Sequence, residues 1–330
     1  MKKIVLFAPD NCMPSTLTGP MDVFTSAGVS WNFINAQAPL PCFEVETVTT
    51  HGNKIRCHNG IEFPVKNNWR DIKEADLIFI PSFAILGAGP TLPQDLVDWF
   101  QDMAAKGCII ASVCTGTFFL AGTGLLNHKR ATTHWAFQDL LKKQYPDIEV
   151  VEDHILVDDN NIVTAGGGSA WHDLVLFLIE RFSGLEAANH VAKMFLLDRH
   201  ENPQSSYATS LPPSHHNDKA ILDAQKWMAE HFKSTGAINQ AIQHSGLAER
   251  TFYRRFKHAL GFTPTRYLQL IRIEKSKVLL EDTSNAIEDI AFQIGYENVG
   301  SFRRLFKQEV KLVPAEYRKK FRSGIQDASL

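Results

Sequence analysis

The chain has 330 residues, 44% of them hydrophobic, and a formal net charge of −2. This length predicts two domains, and the composition supplies a hydrophobic core for each of them. No apolar run approaches the roughly 18 residues of a membrane-spanning helix, which excludes an integral membrane protein of that type.

The charge is distributed unevenly along the chain. Residues 219–330 carry 19 Lys and Arg against 12 Asp and Glu, a balance of +7, whereas the preceding residues carry a balance of −9. A basic C-terminal part favours a polyanion partner for that end alone. On charge alone, a chance fluctuation explains the asymmetry equally well.

The N-terminus and the cysteines both indicate a cytoplasmic protein. The first apolar run stops at Pro9, too early for the core of a secretory signal, so we interpret it as a buried strand. The five cysteines are odd in number and form no CxxC motif, which is typical of a reducing compartment.

The N-terminal part alternates short apolar runs with helical patterns. Strands are expected at 3–8, 43–49, 77–81 and 108–113, and helices near 19–27, 93–106, 115–125, 135–144 and 170–183. This alternation predicts a parallel sheet covered by helices on both faces, in a domain spanning residues 1–198.

A polar segment with three prolines and no apolar period, residues 199–217, is expected to be an interdomain linker. It contains the pair His215-His216, which has no further ligand nearby in sequence and therefore indicates no metal site. The chain beyond 322 is expected to be a short tail, residues 323–330.

An all-α domain is expected between these segments, at residues 218–322. Its predicted helices span 218–232, 238–244, 249–260, 264–281, 287–293, 299–310 and 314–321. The domain repeats itself at an offset of fifty residues, which aligns Phe252 with Phe302 and Tyr267 with Tyr317. Two copies of one helical unit are therefore predicted.

Each copy has the parts of a helix-turn-helix. A short amphipathic helix leads to a glycine, Gly246 or Gly295, and a second helix follows with two phenylalanines one turn apart. If these phenylalanines are core, the residues that face outward are Arg250, Tyr253, Arg254 and Lys257 in the first copy, and Ser301, Arg303, Arg304 and Lys307 in the second. Such faces suit phosphates and base edges, so double-stranded DNA is the expected partner. A merely solvated basic face is the alternative, and its repetition at equivalent positions argues against it.

The motifs of this region resemble the AraC/XylS family of transcription regulators. They are Gly261-Phe-Thr-Pro264, Leu270-Ile-Arg272, Ile290-Ala291, Ile294-Gly295-Tyr296 and Pro314-Ala-Glu-Tyr317-Arg318. The resemblance implies two helix-turn-helix units that flank a long linking helix and enter successive major-groove segments. Three residues depart from the family pattern: Lys311 replaces a glycine, Ala248 replaces a serine cap, and Ile242 replaces an alanine.

Cys114 lies where a predicted strand turns into a predicted helix. Backbone N–H groups at a helix start lower a thiol pKa, and the N–H of Thr115 could hold an oxyanion. His134 follows another expected strand end, and parallel topology would bring it to the same sheet edge. Cys114 and His134 are thus the candidate nucleophile and base if the protein is an enzyme.

Residues 3–198 resemble the PfpI/ThiJ branch of the class I glutamine amidotransferase-like superfamily, through Cys114 and His134. The whole arrangement is similar to AraC-family regulators of the GlxA type, which the segment from Leu17 to Phe24 also resembles. The resemblance implies a flavodoxin-like α/β fold. Two departures weigh against catalysis: Thr16 stands at the position of an acidic residue, and Ser82-Phe83 stands in place of a pair of glycines.

We therefore expect a ligand-binding pocket at this edge rather than an active site. Its expected residues are Thr16, Asp22, Phe83, Cys114, Thr115, His134 and Trp135. The effector is expected to be a small metabolite, with amino acids and quaternary ammonium compounds as the classes that the resemblance implies. The alternatives are a thiol hydrolase or amidase with an appended DNA-binding domain, and a bare dimerisation scaffold.

The sequence as a whole predicts a sequence-specific, DNA-binding transcription regulator that is not an enzyme and needs no metal or cofactor. We expect it to be a homodimer through the N-terminal domain, with RNA polymerase as a further partner and no association with a membrane.

Overall fold

The computed structural model of the chain describes residues 1–50, 54–65, 67–84, 89–209, 211 and 216–322. The expected tail 323–330 and residues 210 and 212–215 of the expected linker lie outside these ranges. The chain divides into two compact units, Met1–Gln204 and Ser205–Leu330. No helix in the described ranges is both long enough and apolar enough to cross a membrane.

The first unit is an α/β unit. Its strands are β1 (Lys2–Ala8), β2 (Phe43–Thr49), β3 (Lys54–Arg56), β4 (Glu62–Pro64), β5 (Asn67–Asn68), β6 (Leu77–Ile80), β7 (Ile109–Val113), β8 (Arg130–Ala131), β9 (Glu149–Val150), β10 (Leu156–Asp159) and β11 (Ile162–Ala165). Its helices are α1 (Ser15–Ser26), α2 (Ser30–Ile34), α3 (Gln94–Ala105), α4 (Gly116–Gly122), α5 (Gln138–Gln144) and α6 (Trp171–Phe195).

Seven strands form the main sheet in the order β10-β11-β7-β6-β1-β2-β5. Only β10, which pairs with β11, is antiparallel to its neighbour within this sheet. Strands β6 and β7 are buried along their whole length, as strands covered on both faces must be. The expected flavodoxin-like, mostly parallel sheet is confirmed.

The direction of winding reverses between β1 and β6. From β1 the chain proceeds to β2 on one side, whereas β6 and then β7 lie on the other side. In open parallel sheets a crevice forms at this point, outside the carboxyl ends of the two strands. The loops after β1 and β6 therefore frame the edge where a ligand site is favoured.

Several elements of the first unit differ from expectation. Helix α1 begins at Ser15, four residues before the expected start at 19. Helix α6 does not end near 183 but continues to Phe195 after a kink at Gly184, whose φ of 87° lies outside the helical region. The expectation also lacked α2 and six of the short strands, since runs of two to four residues show little periodicity. The strand expected before His134 is present as β8, but the expectation that it belongs to the main parallel sheet was wrong, because β8 pairs with β9 in a separate two-stranded sheet.

The second unit is helical, as expected. It contains α7 (Lys219–Glu230), α8 (Ala237–Ser245), α9 (Glu249–Leu260), α10 (Pro264–Asp282), α11 (Ile287–Gln293), α12 (Val299–Val310) and α13 (Pro314–Phe321). The bounds of α9, α11, α12 and α13 coincide with the expected ranges, because their apolar faces, prolines and turn residues are local signals.

Two hydrophobic cores stabilise the second unit. The first gathers around Phe252 and Phe256, and the second around Phe302 and Phe306. Helix α10 contributes to both, with Ile271 in the first core and Ile273 in the second. It is therefore the shared structural link between the two repeats.

Candidate functional sites

The two helix pairs of the second unit have matching geometry. Helix α8 ends at Gly246, which has a φ of 66°, and α9 follows three residues later. Helix α11 is followed by Gly295, with a φ of 87°, and then by α12. A positive φ favours glycine, which explains why both turns contain one. Each pair is thus a helix-turn-helix.

The second helix of each pair buries one face. Helix α9 buries Phe252 and Phe256, and α12 buries Phe302 and Phe306 at equivalent positions. The eight residues expected to contact DNA lie on the remaining surface of these helices: Arg250, Arg254, Lys257, Arg303, Arg304 and Lys307 are exposed, and Tyr253 and Ser301 are half-buried.

The charged groups on these faces differ in their partners. Arg303 forms an ion pair with Glu288 of α11, so part of its charge is engaged within the protein. Within the described ranges, Arg254 and Arg304 have no carboxylate within 4.0 Å. They occupy equivalent positions fifty residues apart, as do Lys257 and Lys307, which also form no ion pair in the described ranges. Of these four cations, the two arginines can donate two parallel hydrogen bonds to one acceptor pair.

Arg272 of the shared helix α10 connects the two repeats. Its Nε donates to the carbonyl of Phe232 at 2.9 Å, and its guanidinium lies 5.4 Å from the ring centre of Tyr296. A Cβ on Gly295 would lie 3.0 Å from this guanidinium and 2.7 Å from the carbonyl of Lys233. The sequence motifs contained Arg272 and Gly295, but only the structure shows that they join the end of α7 to the second turn.

In the first unit, Cys114 forms the tight turn between β7 and α4. Its φ of 56° is unusual for a residue other than glycine, and its N–H donates to the carbonyl of Ala165 at 2.9 Å. A Cβ on Gly116 would lie 2.7 Å from the carbonyl of Pro81, so the next turn needs a glycine. A strained elbow of this kind presents a side chain at the end of a sheet.

Two backbone donors near Cys114 are already occupied. The N–H of Ser82 donates to Thr16 Oγ1 at 3.0 Å, and the N–H of Phe83 donates to Thr115 Oγ1 at 3.0 Å. An oxyanion site requires N–H groups that await the developing charge. Thr16, which stands in place of an acidic residue, therefore also removes a donor from any reacting substrate.

Burial favours the neutral form of both the thiol and the imidazole. Burial raises the pKa of the Cys114 thiol, so the nucleophilic thiolate is disfavoured. The N–H of Ala136 donates to His134 Nδ1 at 3.1 Å, which assigns the proton of the neutral ring to Nε2. Burial also lowers the pKa of His134. The structure records no hydrogen bond between Cys114 and His134, both of which are described.

The expected pocket residues are only partly brought together. Thr16, Phe83, Cys114 and Thr115 form one buried, hydrogen-bonded cluster. His134 and Trp135 lie beside it, since Thr133 Oγ1 donates to the carbonyl of Cys114 at 2.7 Å. Asp22 is exposed on α1, and its side chain has no hydrogen bond to the cluster in the described part of the chain, so its expected place in the pocket is not supported.

Phe83 also lines a cavity. This cavity, of about 580 Å³, lies at the crevice between β1 and β6, and its lining includes Asp10, Asn11, Thr50, Arg70, Phe83 and Phe119. The sequence analysis identified Phe83 but none of the others, because their loops converge only in the folded sheet.

The structure also shows contacts that the sequence analysis did not anticipate. The Sγ atoms of Cys12 and Cys57 are 3.6 Å apart, and both residues are buried. The five cysteines are all free thiols. Over the described residues, no group of three or more His, Cys, Asp or Glu side chains is arranged to hold a metal ion.

Comparison with known protein families decides the family of the first unit. Residues 2–181, more than half of the chain, match the model of the DJ-1/PfpI family. The chain belongs to the DJ-1/PfpI family. Residues 242–320 match a helix-turn-helix domain model, so the DJ-1/PfpI domain is followed by an AraC-type helix-turn-helix domain.

Relatives of this DJ-1/PfpI chain include regulators that align over most of the chain and an enzyme that aligns over about half of it. It is 25% identical to the HTH-type transcriptional regulator CdhR of Pseudomonas aeruginosa, over 87% of both chains. It is 23% identical to the HTH-type transcriptional regulator GlxA of Rhizobium meliloti, over 91% of this chain and 92% of that one. It is 33% identical to isonitrile hydratase of Pseudomonas putida, over 53% of this chain and 69% of that one.

Solved structures support the fold of the DJ-1/PfpI unit. DJ-1beta of Drosophila melanogaster aligns with a TM-score of 0.51 and 20% identity, covering 60% of this chain and 100% of that one. A protein of Vibrio parahaemolyticus aligns with a TM-score of 0.52 and 21% identity, covering 59% and 99%.

Proposed function

We propose that this protein is a sequence-specific, DNA-binding transcription regulator whose DJ-1/PfpI unit senses a small metabolite. The observation that carries the proposal is the pair of equivalent helices α9 and α12, each with a buried phenylalanine face and an exposed basic face. The regulators CdhR and GlxA, which align over most of the chain, support it.

In the proposed complex, α9 and α12 enter successive major-groove segments about 34 Å apart. Arg254 and Arg304 each donate two hydrogen bonds to a guanine, because arginine matches the O6 and N7 acceptors of that base. The other basic residues of the two faces neutralise phosphates and set the register on the duplex.

Selection of genomic DNA fragments on the purified protein at physiological salt, followed by footprinting, tests this function. We expect protected sites that span two adjacent major-groove segments per chain. Weak binding that ignores sequence and disappears steeply with added salt would contradict the proposal, because phosphate contacts alone produce that behaviour.

The proposed effector site is the 580 Å³ cavity rather than the space above Cys114. The cluster of Thr16, Cys114 and Thr115 is closely packed, whereas the cavity is open and shares Phe83 with that cluster. Its aromatic walls and charged lining residues suit a metabolite with an apolar body and a charged end, such as an amino acid or a quaternary ammonium compound. A metabolite screen for a raised melting temperature tests this proposal, and a screen without hits would favour a bare dimerisation scaffold.

The second candidate function is thiol catalysis at Cys114, which the similarity to isonitrile hydratase favours. We propose that the chain is not an enzyme. The N–H groups of Ser82 and Phe83 are occupied by threonine hydroxyls, and burial raises the pKa of the Cys114 thiol. His134 Nδ1 already accepts from the N–H of Ala136. Turnover of an isonitrile, amide or ester by the wild type that is lost in Cys114→Ala would reverse this proposal.

We further propose a cytoplasmic homodimer that assembles through the first unit and recruits RNA polymerase. A dimer presents four helix-turn-helix units, which suits repeated or inverted half-sites. Sedimentation of the free protein and of its complex with a selected DNA site tests the stoichiometry.

A further inference from the structure

Gln204, the last residue of the first unit, is held in an amide-recognition site. Its side-chain oxygen accepts from the N–H groups of Trp135 at 3.0 Å and Gly167 at 3.2 Å. Its side-chain NH₂ donates to the carbonyls of Thr133 at 3.0 Å and His154 at 2.9 Å, with Thr132 Oγ1 at 3.2 Å. The residue is only 2% exposed. Two donors at one end and acceptors at the other match a primary carboxamide and no other common side chain. We call these five groups the amide site.

Gly166 leaves the space that the Gln204 side chain occupies. A Cβ on Gly166 would lie 2.3 Å from Gln204 Nε2, although the φ of Gly166 is not in the positive range. The glycine is therefore needed for the space that Gln204 occupies and not for a backbone conformation. Alanine at 166 would push the amide out of the site without straining the turn.

The amide site adjoins the Cys114 elbow. Thr133 accepts from Gln204 through its carbonyl and donates through its hydroxyl to the carbonyl of Cys114 at 2.7 Å. Trp135, whose N–H holds the amide oxygen, follows His134 directly. A displacement of the 132–135 segment would therefore change the hydrogen bonds of Gln204.

The residues that follow Gln204 are anchored in the second unit. Ser206 is 1% exposed, and its hydroxyl donates to the carbonyl of Val310, the last residue of α12, at 2.9 Å. Lys277 Nζ of α10 donates to the carbonyl of Ala208 at 2.8 Å. One residue, Ser205, thus separates an anchor in the sensing unit from an anchor at the end of a DNA-binding helix.

The length of free chain between the units depends on Gln204. While Gln204 is bound in the amide site, the Cα atoms of residues 204 and 206 can be at most about 7 Å apart. Gln204 is also held by its backbone N–H, which donates to the carbonyl of Asp153 at 3.1 Å. The next anchor upstream is His200, whose Nδ1 and backbone N lie 2.6 and 2.7 Å from the carboxylate of Asp173. Release of Gln204, by loss of its side-chain hydrogen bonds and then of the single backbone hydrogen bond to Asp153, would leave the span from 200 to 206, which reaches about 20 Å.

We propose that the amide site is a receptor for a primary carboxamide, and that Gln204 occupies it as a reversible tether that limits the reach between the two units. This inference rests on the proposed function only in assigning the tether a regulatory use. The amide site and the tether are themselves testable without DNA.

The first test is chemical rescue of Gln204→Ala in the full chain. Hydrogen exchange at the N–H groups of Trp135 and Gly167 should accelerate at least about tenfold in this variant. Glu201→Ala, an exposed change in the same segment, should leave the exchange unchanged. Propionamide should restore protection, whereas propionate, which cannot donate to two carbonyls, should not. Equal rescue by propionate, or no loss of protection in Gln204→Ala, would overturn the amide site.

The second test separates a tether from simple cavity filling. Spin labels on non-natural residues at exposed Glu44 and Glu297 report the distance distribution between the units. Gln204→Ala leaves only the backbone hydrogen bond to Asp153 at this position, and the opening of that bond should widen the distribution by up to about 13 Å. Propionamide should leave it wide because a free amide fills the site without holding the chain. A distribution that propionamide narrows, or that Gln204→Ala leaves unchanged, would overturn the tether.

Gly166→Ala is an independent variant that expels Gln204 by steric contact. It should reproduce both the faster hydrogen exchange and the wider distance distribution. The double variant Gly166→Ala/Gln204→Ala should show neither effect more strongly than Gln204→Ala alone. Additive effects would contradict the inference. None of these readouts involves DNA, so failure of the DNA selection and failure of the tether are distinguishable.

Discussion

Gly261 and Lys311 occupy equivalent positions fifty residues apart, and each follows the second helix of a helix-turn-helix pair with a backbone in the left-handed region. Their φ values are 75° and 62°, and each donates its N–H to the carbonyl four residues earlier, of Lys257 and Lys307. Glycine adopts this conformation without a Cβ clash, whereas a lysine incurs about 1 kcal/mol. The second repeat thus has the same geometry as the first at a conformational cost.

Replacing Lys311 by glycine should stabilise the second repeat by about 0.5–1 kcal/mol. Urea unfolding of the full chain measures this change. The matched control is Gly261→Ala, which should destabilise the first repeat by a similar amount. A less stable Lys311→Gly variant would show that the lysine side chain makes a contact worth more than the conformational cost.

At the N-terminal ends of the same two helices, the second repeat has the more favourable residue. Asn298 accepts the N–H of Ser301 at 2.8 Å and caps α12, whereas Ala248 provides no side-chain cap for α9. Ala248→Asn should therefore raise the free energy of unfolding by about 1 kcal/mol, and Asn298→Ala should lower it by a similar amount. Equal stability of Ala248→Asn and the wild type would indicate that another group already satisfies the first N–H groups of α9.

Cys114 should react slowly with alkylating agents. Its thiol is buried, with a pKa raised by that burial, while Cys42 is more accessible. At pH 8, iodoacetamide should modify Cys42 at least about tenfold faster than Cys114, as peptide mass spectrometry can resolve. Faster modification of Cys114 would point to an activated thiolate and would revive the enzymatic alternative.

The stability of the first unit should fall as the pH drops below about 6.5. Burial lowers the folded-state pKa of His134, so the unfolded state binds more protons as the pH falls through the ordinary histidine value. Protonation would also remove the acceptor for the N–H of Ala136. His134→Asn, which keeps an acceptor, should reduce the loss of melting temperature between pH 7 and pH 5. Burial also lowers the pKa of His172, so part of the dependence should remain. An unchanged pH profile in His134→Asn would contradict this reasoning.

The second unit was predictable from the sequence because its signals are local. Apolar periodicity, Pro264 and Pro314, and the fifty-residue repeat set most of its boundaries. The amide site was not predictable, since Gln204 meets groups up to 72 residues away. Its polar, proline-containing surroundings predicted an interdomain linker over 199–217, and nothing in that pattern indicates that Gln204 is bonded within the first unit and Ser206 within the second.

The Cys114 region was predicted in part. Departures at Thr16 and Ser82 indicated a site unsuited to catalysis, but the reason is visible only in the hydrogen bonds that occupy the neighbouring N–H groups. The cavity lined by Phe83 depends on four loops that come together only when the sheet forms, so no local sequence pattern indicates it.

The central claim is that α9 and α12 each read bases, and one measurement tests it most directly. Binding of Arg254→Ala and Arg304→Ala to a selected site and to its single-base variants is compared with binding of Lys226→Ala, an exposed change of equal charge on α7. We expect each arginine variant to lose about 1–3 kcal/mol at one base position, in different major-groove segments, while Lys226→Ala keeps full discrimination. A uniform loss across all sequences, equal for the three variants, would contradict base reading by these helices.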